Sequence, residues 1–116
     1  MSVELGMITI DCADPKRLSG FWTQVLGVEV AADYGEFLYL NPQKEGGVRL
    51  GFQKVPEPRA GKNRLHLDLG AADRAAEVAR LTGLGATQVA EHSAPGLNWT
   101  VLADMEGNQF CVAQSG

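Results

Sequence analysis

Two histidines, two cysteines and fourteen carboxylates carry most of the reactive chemistry of this chain. No CxxC, HExxH or GxxxxGK[ST] stretch groups them in the way common zinc, redox and nucleotide sites do. Any site must therefore be assembled from residues on alternating strands. In Arg64-Leu65-His66-Leu67-Asp68-Leu69 the alternation sends three leucines to one face and Arg64, His66 and Asp68 to the other. In Met7-Ile8-Thr9-Ile10-Asp11-Cys12 it sends Ile8, Ile10 and Cys12 one way, and Met7, Thr9 and Asp11 the other. His66 can shuttle a proton or orient a ligand. Asp11 and Asp68 can form an acid/base pair if they lie close together. The same groups are equally satisfied structurally, with His66 bonded to a carboxylate such as Asp11 and the aspartates paired with Arg64 or Arg49. Cys111 becomes a nucleophile only beside a cation that lowers its pKa, a role open to His66. Otherwise it is a small buried hydrophobe, as Cys12 is.

The elements that must position these residues occur twice. Met7–Asp14 can be laid on His66–Asp73, and each is followed by a helical stretch that closes on Leu-Gly and then by a run containing valine. Asp14 before Pro15 gives an N-cap and a proline at the first helical position. Leu18, Phe21, Trp22, Val25 and Leu26 share one face of that helix, and Gly27 stops it. Phe21 and Trp22 read as core. Asp73 caps a second helix over 74–84, with Ala75, Val78, Ala79 and Leu81 as its apolar face and Gly83 and Gly85 at its end. Further strands are expected at 28–32, 36–41, 48–54, 87–92, 98–103 and 109–114, separated by Gly-, Pro- and Asn-rich turns. The order strand–helix–strand–strand–strand, repeated, predicts an α+β fold with helices covering one sheet face. The polar face opposite is either a solvated cleft or the wet side of an antiparallel sheet. Trp99 is a wall of that cleft or a core residue. Val55–Lys62, with two prolines and a glycine, reads as the connector between module one (5–54) and module two (63–115) of a single 1–116 domain.

The 116 residues allow one domain of ordinary size. Apolar residues at 45% and charged residues at 21% exclude a disordered class. The net charge of −4 comes with no basic cluster, which argues against nucleic acid as a partner. No apolar run approaches a membrane span, and the N-terminal residues do not resemble a signal peptide, so a cytoplasmic protein with reduced thiols is expected.

Four segments resemble the vicinal oxygen chelate superfamily of glyoxalase, bleomycin-resistance and dioxygenase proteins, in its glyoxalase-like domain branch. They are Ile10–Pro15, Gly20–Trp22 with Leu26-Gly27, Lys62–Asp68, and Leu102–Phe110. The resemblance implies paired βαβββ modules forming a cup-shaped mixed or antiparallel sheet with helices outside, completed by dimerisation. It also implies a divalent metal held from four strands. Those ligand positions fall on Met7, at or next to Leu50, on His66, and on or near Cys111, and only His66 is a match. No metal and no other cofactor is expected.

The expectation is a homodimeric, metal-independent binder of a small organic molecule, with no membrane partner. Met7, Asp11, Leu50, Arg64, His66, Asp68, Trp99 and Cys111 are the candidate binding residues, with Leu50 at the floor. The alternative is a metal-dependent or acid/base lyase, isomerase or dioxygenase of the same superfamily. His66, Asp11 and Asp68 are then the candidate catalytic groups.

Overall fold

In a computed structural model that describes residues 2–114, the chain forms two compact units that divide after Pro58, inside the proline-containing connector. The first unit runs β1 (Met7–Cys12), α1 (Pro15–Leu26), β2 (Val30–Asp33), β3 (Phe37–Leu40) and β4 (Arg49–Lys54). The second runs β5 (Leu67–Ala71), α2 (Arg74–Gly83), β6 (Thr87–Ala94), β7 (Leu97–Ala103) and β8 (Gln109–Gln114). Each unit is a βαβββ module built on a four-stranded sheet, ordered β1-β4-β3-β2 and β5-β8-β7-β6. In each, the first and last strands pair in parallel and the remaining pairs are antiparallel. A bulge recurs at the same place, with Ala31 extra in β2 and Val89 extra in β6. The repeat seen in the sequence is thus a repeat of topology, down to its irregularities. No helix among the described residues is long and apolar enough to cross a membrane.

Local chemistry accounts for both helices. The Asp14 carboxylate accepts from the Arg17 backbone N–H, and the Asp73 carboxylate accepts from that of Ala76. Each satisfies an N–H that has no partner within its helix. Gly27 closes α1 in the left-handed region at φ +68°, where other residues are strained. The Leu18, Phe21, Trp22 and Val25 face of α1 is buried, with the Phe21 and Trp22 rings edge to face at 5.4 Å. Cys12 is buried as well, and both cysteines are free thiols.

Two expectations about the second unit are corrected. Strand β5 begins at Leu67, not Arg64, where its parallel pairing with β8 begins at Phe110. Leu65 is therefore 65% exposed instead of lying under a helix, and Arg64 precedes the strand. The apolar face of α2 is also rotated. Leu81 is buried and Val78 half-buried, while Ala75 and Ala79 face solvent. At the start of the helix the Arg74 guanidinium donates to Thr100 Oγ1 at 2.5 Å and to Glu91 Oε1 at 3.2 Å on the sheet beneath.

Candidate functional site

The second unit carries a cleft of about 640 Å³ on the sheet face bearing Asp68, Cys111, Trp99 and Val101. Alternation selects these residues. On β8, Gln109, Cys111 and Ala113 line the cleft, while Val112 faces the other way and is 1% exposed. Asp68 is the direct register partner of Cys111 across the parallel β5–β8 pair. His66 lies just before β5 and keeps the parity of Asp68, with its Nδ1 3.6 Å from Asp68 Oδ1. That separation is too long for a hydrogen bond and suits a charge contact when the imidazole is protonated. Both side chains are more than half exposed, so the contact contributes little to stability.

The far wall comes from the β6–β7 hairpin. Pro95 and Gly96 make a two-residue turn with Gly96 at φ +78°, and Ala94 pairs with Leu97. Counting back from the turn sets His92 opposite Trp99, and their rings stack at 5.3 Å and 27°. The extra residue of the β6 bulge lets the consecutive Val89 and Ala90 both border the cleft. One side is thus apolar and aromatic, and the other carries His66, Asp68, Lys62 and Gln109.

Cys111 sits between them, 9% exposed. Burial pushes its thiol pKa above the ordinary cysteine value, and so do the charge of Asp68 and a hydrogen bond from the S–H to that carboxylate. The nucleophile reading needed a cation beside the sulfur, and the partner is instead an anion.

Of the residues expected at a site, His66, Asp68, Trp99 and Cys111 come together in this cleft. Arg64 is not among its lining residues. Met7, Asp11 and Leu50 belong to the first unit. There, Met7 Sδ and Thr9 Oγ1 crowd the position where a Gly51 Cβ would stand, so Met7, Thr9 and Gly51 share one face. Leu50 must then point to the opposite face, where it is 8% exposed and pairs in register with Ile8. Leu50 is core, and its place at the floor of a pocket is withdrawn. Asp11 is exposed at the end of β1, opposite Gln53. Sequence reasoning missed His92, Lys62, Gln109 and the valines. Extending the strands to the Pro95-Gly96 turn would have paired His92 with Trp99 by counting.

One atom each from His66, Asp68 and Cys111 lie within 4.8 Å of one another. Imidazole, thiolate and a single carboxylate suit a borderline cation such as Zn²⁺, not Mg²⁺, which wants near-octahedral oxygen. Metal binding would require the thiol to lose a proton that burial and Asp68 help it keep. In the first unit, neither Met7 nor any residue of Arg49–Gly51 supplies a carboxylate or imidazole. The four-strand ligand set implied by the resemblance is not formed by these residues.

Residues 7–113 match the glyoxalase-like domain family. No curated protein matches the chain. Among solved structures, it is similar to a glyoxalase/bleomycin resistance protein/dioxygenase family enzyme from Burkholderia phytofirmans, with 22% identity, TM-score 0.79, and 96% and 98% of the two chains covered. UcmS2 is 26% identical, with TM-score 0.76 over 99% of this chain and all of the other. A fosfomycin resistance protein from Listeria monocytogenes, solved with Mn(II) and a dihydroxypropylphosphonic acid, is 12% identical with TM-score 0.79, over 100% and 92%. With a family match over nearly its whole length and the paired βαβββ topology, the chain belongs to the glyoxalase-like domain family of the vicinal oxygen chelate superfamily.

Proposed function

We propose that the protein binds a small organic molecule in the cleft of its second unit, without a resident metal, and that it works as a homodimer. The observation that carries this reading is the make-up of the cleft. A stacked His92–Trp99 pair, Leu97 and two valines face a few polar groups across about 640 Å³. Apolar walls with a small number of convergent polar groups are what organic ligands require. A protonated Cys111 adds a neutral surface to this lining rather than an anionic ligand atom.

A thermal-shift screen of organic compounds tests binding directly. A ligand at a hundredfold excess over its Kd raises stability by about 2.7 kcal/mol. Elemental analysis of the purified protein tests the second clause. About one Zn²⁺ per chain, lost on Cys111→Ser, would overturn metal independence and assign His66, Asp68 and Cys111 as its ligands.

A second reading rests on the 3.6 Å approach of His66 to Asp68. A carboxylate beside an imidazole places two proton-exchanging groups next to each other, as acid/base catalysis demands. Turnover of a bound compound that is abolished by His66→Ala but survives metal chelation would favour a metal-free lyase or isomerase over a binder.

A further inference from the structure

We propose that the cleft of the second unit takes a flat aromatic amine, its ring stacked on Trp99 over Ala113 and Gly70 and its ammonium group on Asp68. This rests on the reading of that cleft as a binding site and names the chemistry of its ligand. The place for the ring is read from strand register. Gly70 pairs with Ala113, Ala113 with Trp99, and Trp99 with His92, so these four form one row across the sheet in the order β5-β8-β7-β6. Two rings stand at one end of the row, and only a methyl group and a hydrogen at the other. The low end is a shelf two strand spacings wide from Trp99 to Gly70, about 10 Å. In the first unit the row that joins the first, last and third strands in the same way is Asp11, Gln53 and Phe37. Each of those positions carries a side chain that would fill the space, so the shelf is a departure of the second unit from the repeat.

Trp99 is prepared for a ring on that side. His92, on the neighbouring β6, stacks against it at 5.3 Å and 27°. Strand side chains stand roughly upright on their sheet, so the other face of the indole looks over Ala113 and Gly70. Leu97, one alternation along β7 and 45% exposed, borders the same cleft. An aromatic ring on the shelf extends the stack from two rings to three and covers Leu97, which a branched aliphatic body cannot do as well. The charge beside the shelf selects the polar group. Asp68 is one alternation along β5 from Gly70, about 7 Å at the usual strand rise. Its carboxylate accepts the Cys111 S–H, and an ionised carboxylate can accept further bonds but donate none. His66 lies on the far side of Asp68 from Gly70, 3.6 Å from its carboxylate. Lys62 is four residues before His66, exposed and on a long flexible stem. A compound lying on the shelf therefore meets a carboxylate before it meets a cation. An ammonium group one carbon from the ring is attracted there, and an anion is repelled.

Three probes test this by amide-resolved NMR titration of the full chain: naphthalen-2-ylmethanamine, its neutral analogue naphthalen-2-ylmethanol, and cyclohexylmethanamine, an amine without an aromatic ring. The naphthyl amine should shift the amides of Trp99, Cys111 and Ala113 and the Trp99 indole N–H. It should bind about fivefold more tightly than the alcohol, the upper end for a charge pair open to solvent, and more tightly than the cyclohexyl amine. Asp68→Asn should bring the naphthyl amine down to the affinity of the alcohol. Ala113→Leu fills the shelf and should abolish saturable binding of the naphthyl amine. The comparison of the three probes on the unaltered protein stands even if either variant folds poorly. Equal affinity for amine and alcohol, equal affinity for the two amines, an Asp68→Asn protein that still prefers the amine, an undiminished response from Ala113→Leu, or no saturable binding of the naphthyl amine would each overturn the proposal. The reading of the cleft as a binding site would survive any of these if a compound from the thermal-shift screen moves the same amides. A screen without a hit, together with no response to the three probes, would overturn both.

Discussion

Cys111 shows how neighbours decide what a reactive side chain does. In sequence Cys111 reads as a small buried hydrophobe that becomes a nucleophile only if a cation such as His66 lies beside it. Burial disfavours its charged form first, and the Asp68 carboxylate adds repulsion and accepts its proton in a hydrogen bond. Iodoacetamide should therefore modify Cys111 with a pH midpoint above that of a free thiol. Asp68→Asn removes the repulsion and weakens the hydrogen bond, so the midpoint should fall and the rate near pH 8 should rise several-fold, read on the Cys111 peptide by mass spectrometry. An unchanged midpoint would remove Asp68 from the account. The same pKa shift fixes the sign of a stability effect. The folded state holds the proton more tightly, so the contribution is fully present below the unfolded thiol pKa and is lost as pH rises through the folded one. His66 makes a complementary case. Its side chain is 52% exposed and its contact with Asp68 is long, so His66→Ala should change stability by under about 0.5 kcal/mol. It should nonetheless weaken binding of the compound returned by the thermal-shift screen. A large drop in melting temperature with binding intact would make His66 a structural residue.

At the scale of elements, parity was legible and register was not. The Met7–Cys12 strand and the Pro15–Leu26 helix follow from local signals alone: aliphatic alternation, an aspartate before a proline, a glycine after the last turn. The parity of His66 and Asp68 was also legible, which is why they meet Cys111 on one face. Register depends on what the partner strand offers. Nothing in Arg64–His66 announces that pairing with β8 begins only at Leu67 and Phe110, and nothing near Leu50 says which of three neighbours points outward. The roll of α2 was hidden for a related reason, since contacts such as that of Arg74 with Thr100, 26 residues away, are not visible in the helix's own sequence. Reassigning Leu50 to the core has a measurable consequence. Leu50→Ala should cost about 2–4 kcal/mol in denaturant unfolding, the range for a buried leucine deleted without collapse of the cavity. It should leave compound binding in the second unit unchanged at temperatures where the protein stays folded. A loss under 1 kcal/mol (roughly a surface substitution) together with weakened binding would restore Leu50 to the floor of a pocket.

For the whole molecule, the described residues place unusual demands on a 12.4 kDa chain. Each four-stranded sheet ends in two edge strands whose outer N–H and C=O groups its own sheet does not pair. Val3, Leu5 and Leu65 are each more than 60% exposed, and Val30, Val48, Val89 and Leu97 more than 40%. Scattered exposed apolar residues are ordinary, but Val3 and Leu5 before the edge strand β1, Leu65 before the edge strand β5 and Val30 in the edge strand β2 are what association removes from water. Burial at about 25 cal/mol per Å² makes the contact favourable only if many are covered together, which favours one extensive symmetric interface over several small ones. The mass by light scattering at micromolar concentration should be twice that of the chain and independent of added compound. Charged substitutions separate the surfaces. If Leu5→Lys or Leu65→Lys halves the mass while Tyr34→Lys, at a residue 70% exposed in a turn, leaves it unchanged, the interface lies on the apolar residues named. A chain that runs as a monomer across the micromolar range would show that those edges and side chains are tolerated in water, and the homodimer would have to be abandoned.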